Sequence, residues 1–239
     1  FPYTTLFRSG SYTGTKTVTF RIKEKQLIIS PTTGLTKVYG DLDPILTYGF
    51  SGAISGEMPL FTGTLSRNIG ENVGSYTLVR GTLGLADNGS FKASNYLVTL
   101  VENVSLSITK ANLIVKVNND SKFVTRPDTS GYAGISFLGF KFGENSNVID
   151  QTGLIITRTN AGASGVELAQ FYPGVLSASG LASGNYNFIY QSGDYTIVGA
   201  DQLLVKVTNL QTTYGTTSNY EIASAQYVST GNTIVDLTS

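Results

Sequence analysis

Asp41 and Asp43 stand two residues apart, and in an extended segment that spacing turns both carboxylates to the same side. Such a pair is the start of a calcium site, or of the acid and base of a glycosidase. Calcium needs further oxygen ligands close by, and Leu42, Pro44 and Ile45 bring none on their side chains. Asp41 and Asp43 are therefore read as caps of the turns around Pro44. At the matching place further along the chain, Asp128 stands alone. Gly70-Glu71-Asn72-Val73-Gly74-Ser75-Tyr76 has the glycine density of a phosphate loop, but no Lys-Ser/Thr pair completes it and no helix follows. It is expected to be a hairpin loop that delivers Tyr76 and Leu78 into a strand. Arg67 and Arg158 are each expected to pair with a carboxylate across strands rather than to hold a ligand.

The chain has no histidine, no cysteine and no tryptophan. That removes Ser-His-Asp and Cys-His nucleophiles, His-ligated zinc and thiolate redox centres. No catalytic, metal-ligating or cofactor-binding residue is assigned, the chain is read as not an enzyme, and ligand residues stay open. Fourteen tyrosines and twelve phenylalanines raise the question of sugar stacking. Tyr96, Phe188 and Tyr195 fall on alternating positions and are expected in cores. Tyr132, Phe137, Phe140 and Phe142 are denser than one buried face needs, which makes them the candidate for an exposed binding patch.

What must position these residues is a repeat. Gln26-Leu27-Ile28-Ile29 returns as Asn112-Leu113-Ile114-Val115 and as Gln202-Leu203-Leu204-Val205, at offsets of 86 and 90 residues. Gly56-Glu57 returns as Gly143-Glu144, and Asn95-Tyr96 as Asn185-Tyr186. Apolar residues take alternate places in Val104 to Thr109, in Val18, Phe20 and Ile22, and in Tyr186, Phe188 and Tyr190, which is the period of strands. Gly143 to Asp150 and Gly165 to Tyr172 are long enough for a short helical turn each. Asp87 to Ser90 and Gln191 to Asp194 read as tight connections, and Pro44 as an extended entry into a strand from Ile45 to Phe50. The fold class is mainly β, with tandem small antiparallel modules, β-grasp-like or sandwich-like, arranged end to end. The divisions expected are 10–25 as the end of a preceding module, 26–110 and 111–199 as modules, and 200–239 as the start of a third. About two residues separate Ile108 from the next opening strand, so a semi-rigid rod is expected. Residues 201–239 hold opening strands without closing ones, so fast amide exchange is expected there.

Composition narrows the partners. Charged residues make up 13%, below the roughly 25% of ordinary soluble domains, and sixteen basic residues balance sixteen acidic ones. With no basic stripe, nucleic acid is set aside. No apolar run approaches the roughly 18 residues of a spanning helix, and no signal peptide is visible. Residues 1–9, Phe1 to Ser9, read as the translation of a common short-read sequencing adapter and are set aside as an assembly scar.

Lys37-Val38-Tyr39-Gly40-Asp41-Leu42-Asp43-Pro44, Gly63-Thr64-Leu65-Ser66-Arg67, the Gly70 to Tyr76 stretch and Ser107-Ile108-Thr109-Lys110-Ala111 resemble the MBG domain of the YGX type across residues 26–110. The second copy is similar as a divergent relative, having Val124-Thr125-Arg126 and Ala161 to Gly165 in place of the signatures. The third shows Tyr214-Gly215. The resemblance implies a stalk, spacer or adhesive segment of a bacterial surface or secreted protein, extracellular, with neighbouring repeats and glycans or glycoproteins as partners. A carbohydrate-binding module, or an accessory domain of a secreted enzyme, is the alternative.

Overall fold

The computed structural model describes residues 3–9, 12–124, 126–159, 161, 167–208 and 212–238, with backbone alone for 3–9 and 12–18. Two compact units divide the chain. Unit 1 holds residues 1–37 and 41–108, and unit 2 holds Val38–Gly40 with residues 109–239. Among the described residues there is no α-helix. The helical pieces are two 3-10 turns, Ala93–Asn95 and Ser146–Val148.

Unit 1 opens with a hairpin of β1 (Tyr3–Ser9) and β2 (Tyr12–Val18). Next come β3 (Lys25–Pro31), β4 (Thr36–Val38) and β5 (Tyr48–Ser51). Then follow β6 (Leu60–Thr62), β7 (Ser66–Arg67), β8 (Gly74–Val79) and β9 (Gly84–Ala86). The chain closes the unit with β10 (Tyr96–Leu100) and β11 (Ser105–Thr109). One sheet has the order β10-β3-β5, a second β4-β11-β8-β7, and β6 pairs with β9 in a small third. Alternation explains β3: Leu27 and Ile29 are sealed from water while Gln26 and Ser30 face it. Leu27 packs with Phe91 and Tyr96, and Ile29 with Leu65 and Leu83.

Unit 2 repeats this order in its own strands. They are β12 (Ala111–Val117), β13 (Asp120–Phe123), β14 (Ile135–Leu138) and β15 (Ile155–Arg158). Then come β16 (Phe171–Ser179), β17 (Tyr186–Gln191) and β18 (Gly193–Val198). The sheets are β14-β12-β17 and β13-β18-β16-β15, strand for strand the two principal sheets of unit 1. Val117 of one sheet packs with Leu176, Tyr195 and Ile197 of the other, a sandwich-like core. Finally β19 (Leu204–Val207), β20 (Ile222–Val228) and β21 (Ile234–Asp236) form an antiparallel sheet.

The mainly β expectation holds, and several local readings change. The ladders are not all antiparallel: β3 runs parallel to β10, β12 to β17 and β13 to β18. The long stretch between each pair builds the other sheet and so supplies the crossover that parallel strands need. Gln191 to Asp194 is the tight connection expected, with Ser192 alone between β17 and β18, and it carries the chain from one sheet to the other. Gly193 passes so close to the Val117 carbonyl that a Cβ would stand 2.6 Å from that oxygen. The strand at Val18 stops there, leaving Phe20 and Ile22 exposed, so their alternation answers to no ladder. The strand expected from Ile45 starts at Tyr48. Gly165 and Val166 lie outside the described residues, and Phe171 and Tyr172 are strand rather than helix.

Candidate functional site

The charged residues of unit 1 converge. Lys37, on β4, is buried and sets its ammonium 2.6 Å from Asp43 Oδ1 and 2.5 Å from Glu71 Oε2. Arg67, on the two-residue strand β7, donates from Nε to Asp43 Oδ2 at 2.6 Å and from Nη2 to Oδ1 at 2.9 Å. This two-pronged geometry is one that only a guanidinium offers. The Arg67 Nη2 also reaches Glu71 Oε1 at 2.5 Å, and Nη1 donates to the Gly70 carbonyl. Its guanidinium carbon lies 5.0 Å from the Tyr76 ring centre. The Gly70 to Tyr76 loop is thus the wrapping of an arginine, and β8 carries Tyr76 and Leu78 as its sequence implied. Asp43 is no turn cap; it is the hinge of this cluster. Asp41 is exposed beside it.

Unit 2 builds the same four-charge cluster from Lys122, Asp128, Arg158 and Glu167. Lys122 meets Asp128 at 2.8 Å and pairs with Glu167. Arg158 takes Asp128 with Nε and Nη2, both at 2.9 Å, and pairs with Glu167. Its guanidinium lies over Tyr195 at 4.6 Å, and the Tyr132 hydroxyl donates to Asp128 at 2.9 Å. Burial separates the two clusters. Asp43 and Glu71 are 37% and 49% exposed, whereas Asp128 and Glu167 are 18% and 16% exposed. The expected pairing of both arginines with carboxylates holds. Missed was that Asp128 does the work of Asp43, although Lys37 to Asp43 and Lys122 to Asp128 share one spacing of six residues.

The electrostatics follow from these partners. The hydrogen bond from Arg67, reinforced by Lys37, holds Asp43 down at about 2. Burial resists ionisation of Asp128, but hydrogen bonds from Arg158, Lys122 and Tyr132 outweigh it and hold the carboxyl well below the ordinary range. Burial likewise opposes the charge on Lys37 and Lys122, and their carboxylate partners raise both regardless. A carboxylate with a lowered native value stabilises the fold above its unfolded value and stops doing so as pH falls through the native one. A lysine with a raised native value contributes below its unfolded value of 10.5 and stops only in more alkaline solution. Thermal unfolding followed by circular dichroism should therefore be flat between about pH 5 and 9 and fall steeply from about pH 4 towards pH 2. Asp43→Asn should reduce that acid slope; an unchanged slope contradicts the assignment.

The aromatic stretch does not form one exposed patch. Tyr132 packs against the unit 2 core and meets Tyr195 edge-on at 5.8 Å. Phe140 meets Tyr186 edge-on at 5.7 Å. Phe137 and Phe140 do line a shallow groove of about 750 Å³ with Asn118, Asn145 and Gln191, and Phe142 is 61% exposed. Among the described residues no group of three or more acids is placed to hold a metal ion, and no helix is long and apolar enough to cross a membrane.

Residues 27–106 match the family model of the MBG domain (YGX type). The MBG domain is a repeat domain typical of surface proteins. The four-charge cluster of unit 1 lies wholly within the MBG segment. The unit 2 repeat lies outside the matched residues, yet it has the MBG segment's strand order and its own copy of the cluster. No curated protein and no solved structure matches the chain.

Proposed function

We propose that this chain is a non-catalytic, load-bearing spacer segment of an exported bacterial surface protein of the adhesin kind. The observation that carries the reading is the pairing of the opening strand of each repeat. β12 lies parallel to β17, with Asn112 opposite Asn187 and Lys116 opposite Gln191, and β13 lies parallel to β18. β3 and β10 repeat the arrangement in unit 1. Tension applied at the start of β12 and the end of β18 pulls each end strand along its own ladder. Every hydrogen bond of that ladder then shares the load, whereas a strand pulled sideways gives them up one at a time. Charges committed to one another, and a surface whose polarity comes from Ser, Thr, Asn and Gly, suit a segment that needs no reactive group.

Force spectroscopy on the full chain tests this, because the absence of cysteine makes introduced ones unique attachment points. Handles at Asn112→Cys and Asp201→Cys load β12 and β18 lengthwise. Handles at Asn112→Cys and Asn187→Cys unzip β12 from β17 at opposed residues. Unit 2 should unfold at a clearly higher force in the first geometry. Equal or lower force there would remove the load-bearing role.

A further inference from the structure

Glu144 in unit 2 binds two tyrosines with one carboxylate. The Tyr186 hydroxyl donates to Oε2, and the Tyr39 hydroxyl donates to Oε1 at 2.7 Å. Tyr39 is 4% exposed, with its ring edge-on to Tyr186 at 5.5 Å and to Phe142 at 5.3 Å. Beside it Gly40 has φ +86°, and a Cβ there would stand 2.5 Å from the Lys141 side chain. The Tyr-Gly pair thus has two reasons for its residue types: a socket for the ring and hydroxyl, and a backbone bend with no room beyond Cα.

The frame of that socket recurs in unit 1. In unit 2 the Glu144 amide donates to the Lys141 carbonyl at 2.9 Å, and the Lys141 amide donates to the Tyr186 hydroxyl at 2.8 Å. In unit 1 the Glu57 amide donates to the Ile54 carbonyl at 3.0 Å, the Ile54 amide to the Tyr96 hydroxyl at 3.0 Å, and that hydroxyl to Glu57 Oε2 at 2.7 Å. Gly56 and Gly143 both bend to positive φ, at +84° and +71°. Among the described residues Glu57 accepts from the Tyr96 hydroxyl alone, and the ring packed on Tyr96 is that of Phe91, stacked at 4.8 Å. Ile54 and Met58 at the rim are 50% and 73% exposed.

The third copy carries the complementary part. Tyr214 is 104% exposed, and Gly215 holds φ +88°, the bend of Gly40, with nothing within 4 Å of where a Cβ would lie. The loop therefore keeps the conformation without the neighbour that makes it necessary in unit 2.

We propose that Tyr214-Gly215 is a docking loop for the Glu57–Tyr96 socket of a second copy of this chain. The hydroxyl of Tyr214 donates to the second oxygen of Glu57, and its ring lies between the exposed side chains of Ile54 and Met58. A loop on one repeat that fits a socket on another is a head-to-tail contact, so it generates open chains of molecules rather than closed dimers.

Sedimentation equilibrium of the full chain over a wide concentration range tests the proposal. The weight-average mass should rise with concentration without levelling at a dimer. Tyr214→Ala should weaken this association at least about tenfold, and Glu57→Gln, which keeps the shape and removes the charge, should weaken it as well. Tyr220→Ala removes another exposed tyrosine of the same copy and should leave it unchanged. Melting curves would confirm that all three variants fold. A mass that stays monomeric, an association that survives Tyr214→Ala, or one lost equally with Tyr220→Ala would overturn the proposal.

Discussion

Arg158→Ala should lower the stability of unit 2 by about 3–5 kcal/mol, the cost of removing one partner from a buried ion cluster. The Arg158 side chain is 2% exposed and neutralises both Asp128 and Glu167, while Lys122 alone would remain to face two carboxylates. The truncation also strips the cation from the face of Tyr195, a ring with 1% exposure at the centre of the core. The matching change in unit 1, Arg67→Ala, should cost only about 1 kcal/mol, because Asp43 and Glu71 stand partly in water and recover solvation when released. Urea unfolding of the whole chain, read from the amide signals of β16 and β18 for unit 2 and of β8 and β11 for unit 1, separates the two transitions. Equal losses in the two units would mean that burial does not set the worth of these clusters.

Much of this was legible because the repeat writes it twice. Arg67 and Arg158 stand at matching points among alternating apolar residues, and an arginine there needs an acid. The acids were harder to read. Glu71 follows Arg67 by four residues and Glu167 follows Arg158 by nine, so the longer loop hides the equivalence. Asp43, two residues from Asp41 and next to Pro44, carries a strong local turn signal, and the tertiary pairing with Arg67 overrides it. The strands of the sheet interiors followed from alternation, as in β12, where Leu113, Val115 and Val117 are fully buried. Parallel pairing was not legible, because alternation reports which face of a strand is buried and says nothing of the direction of its neighbour. The fate of Tyr39-Gly40 was hidden for a related reason. Both residues read as a local signature of the first repeat, while Glu144 and Tyr186, which Tyr39 meets, and Lys141, which crowds Gly40, lie about a hundred residues or more away.

The third copy shows what closure contributes. Leu27 and Leu113 are fully buried, and their counterpart Leu203 is 55% exposed. The residue after it, Leu204, is buried instead, a slip of one residue that turns the face of the strand over. Among the described residues β19 to β21 pair with one another, without the parallel strand that β10 gives β3 and β17 gives β12. Their backbone hydrogen bonds cover little apolar surface, and segments of that kind open cheaply.

Native-state hydrogen exchange across the whole chain measures this directly. The amides of β12 and β17 should be the slowest in unit 2 and should open together, and those of β3 and β10 should be the slowest in unit 1. Amides of β19 to β21 should exchange roughly a thousandfold faster, the ratio that about 4 kcal/mol less opening cost gives. Protection of β20 equal to that of β12, or a β17 that exchanges independently of β12, would contradict a fold closed by pairing each repeat's opening strand with a parallel one.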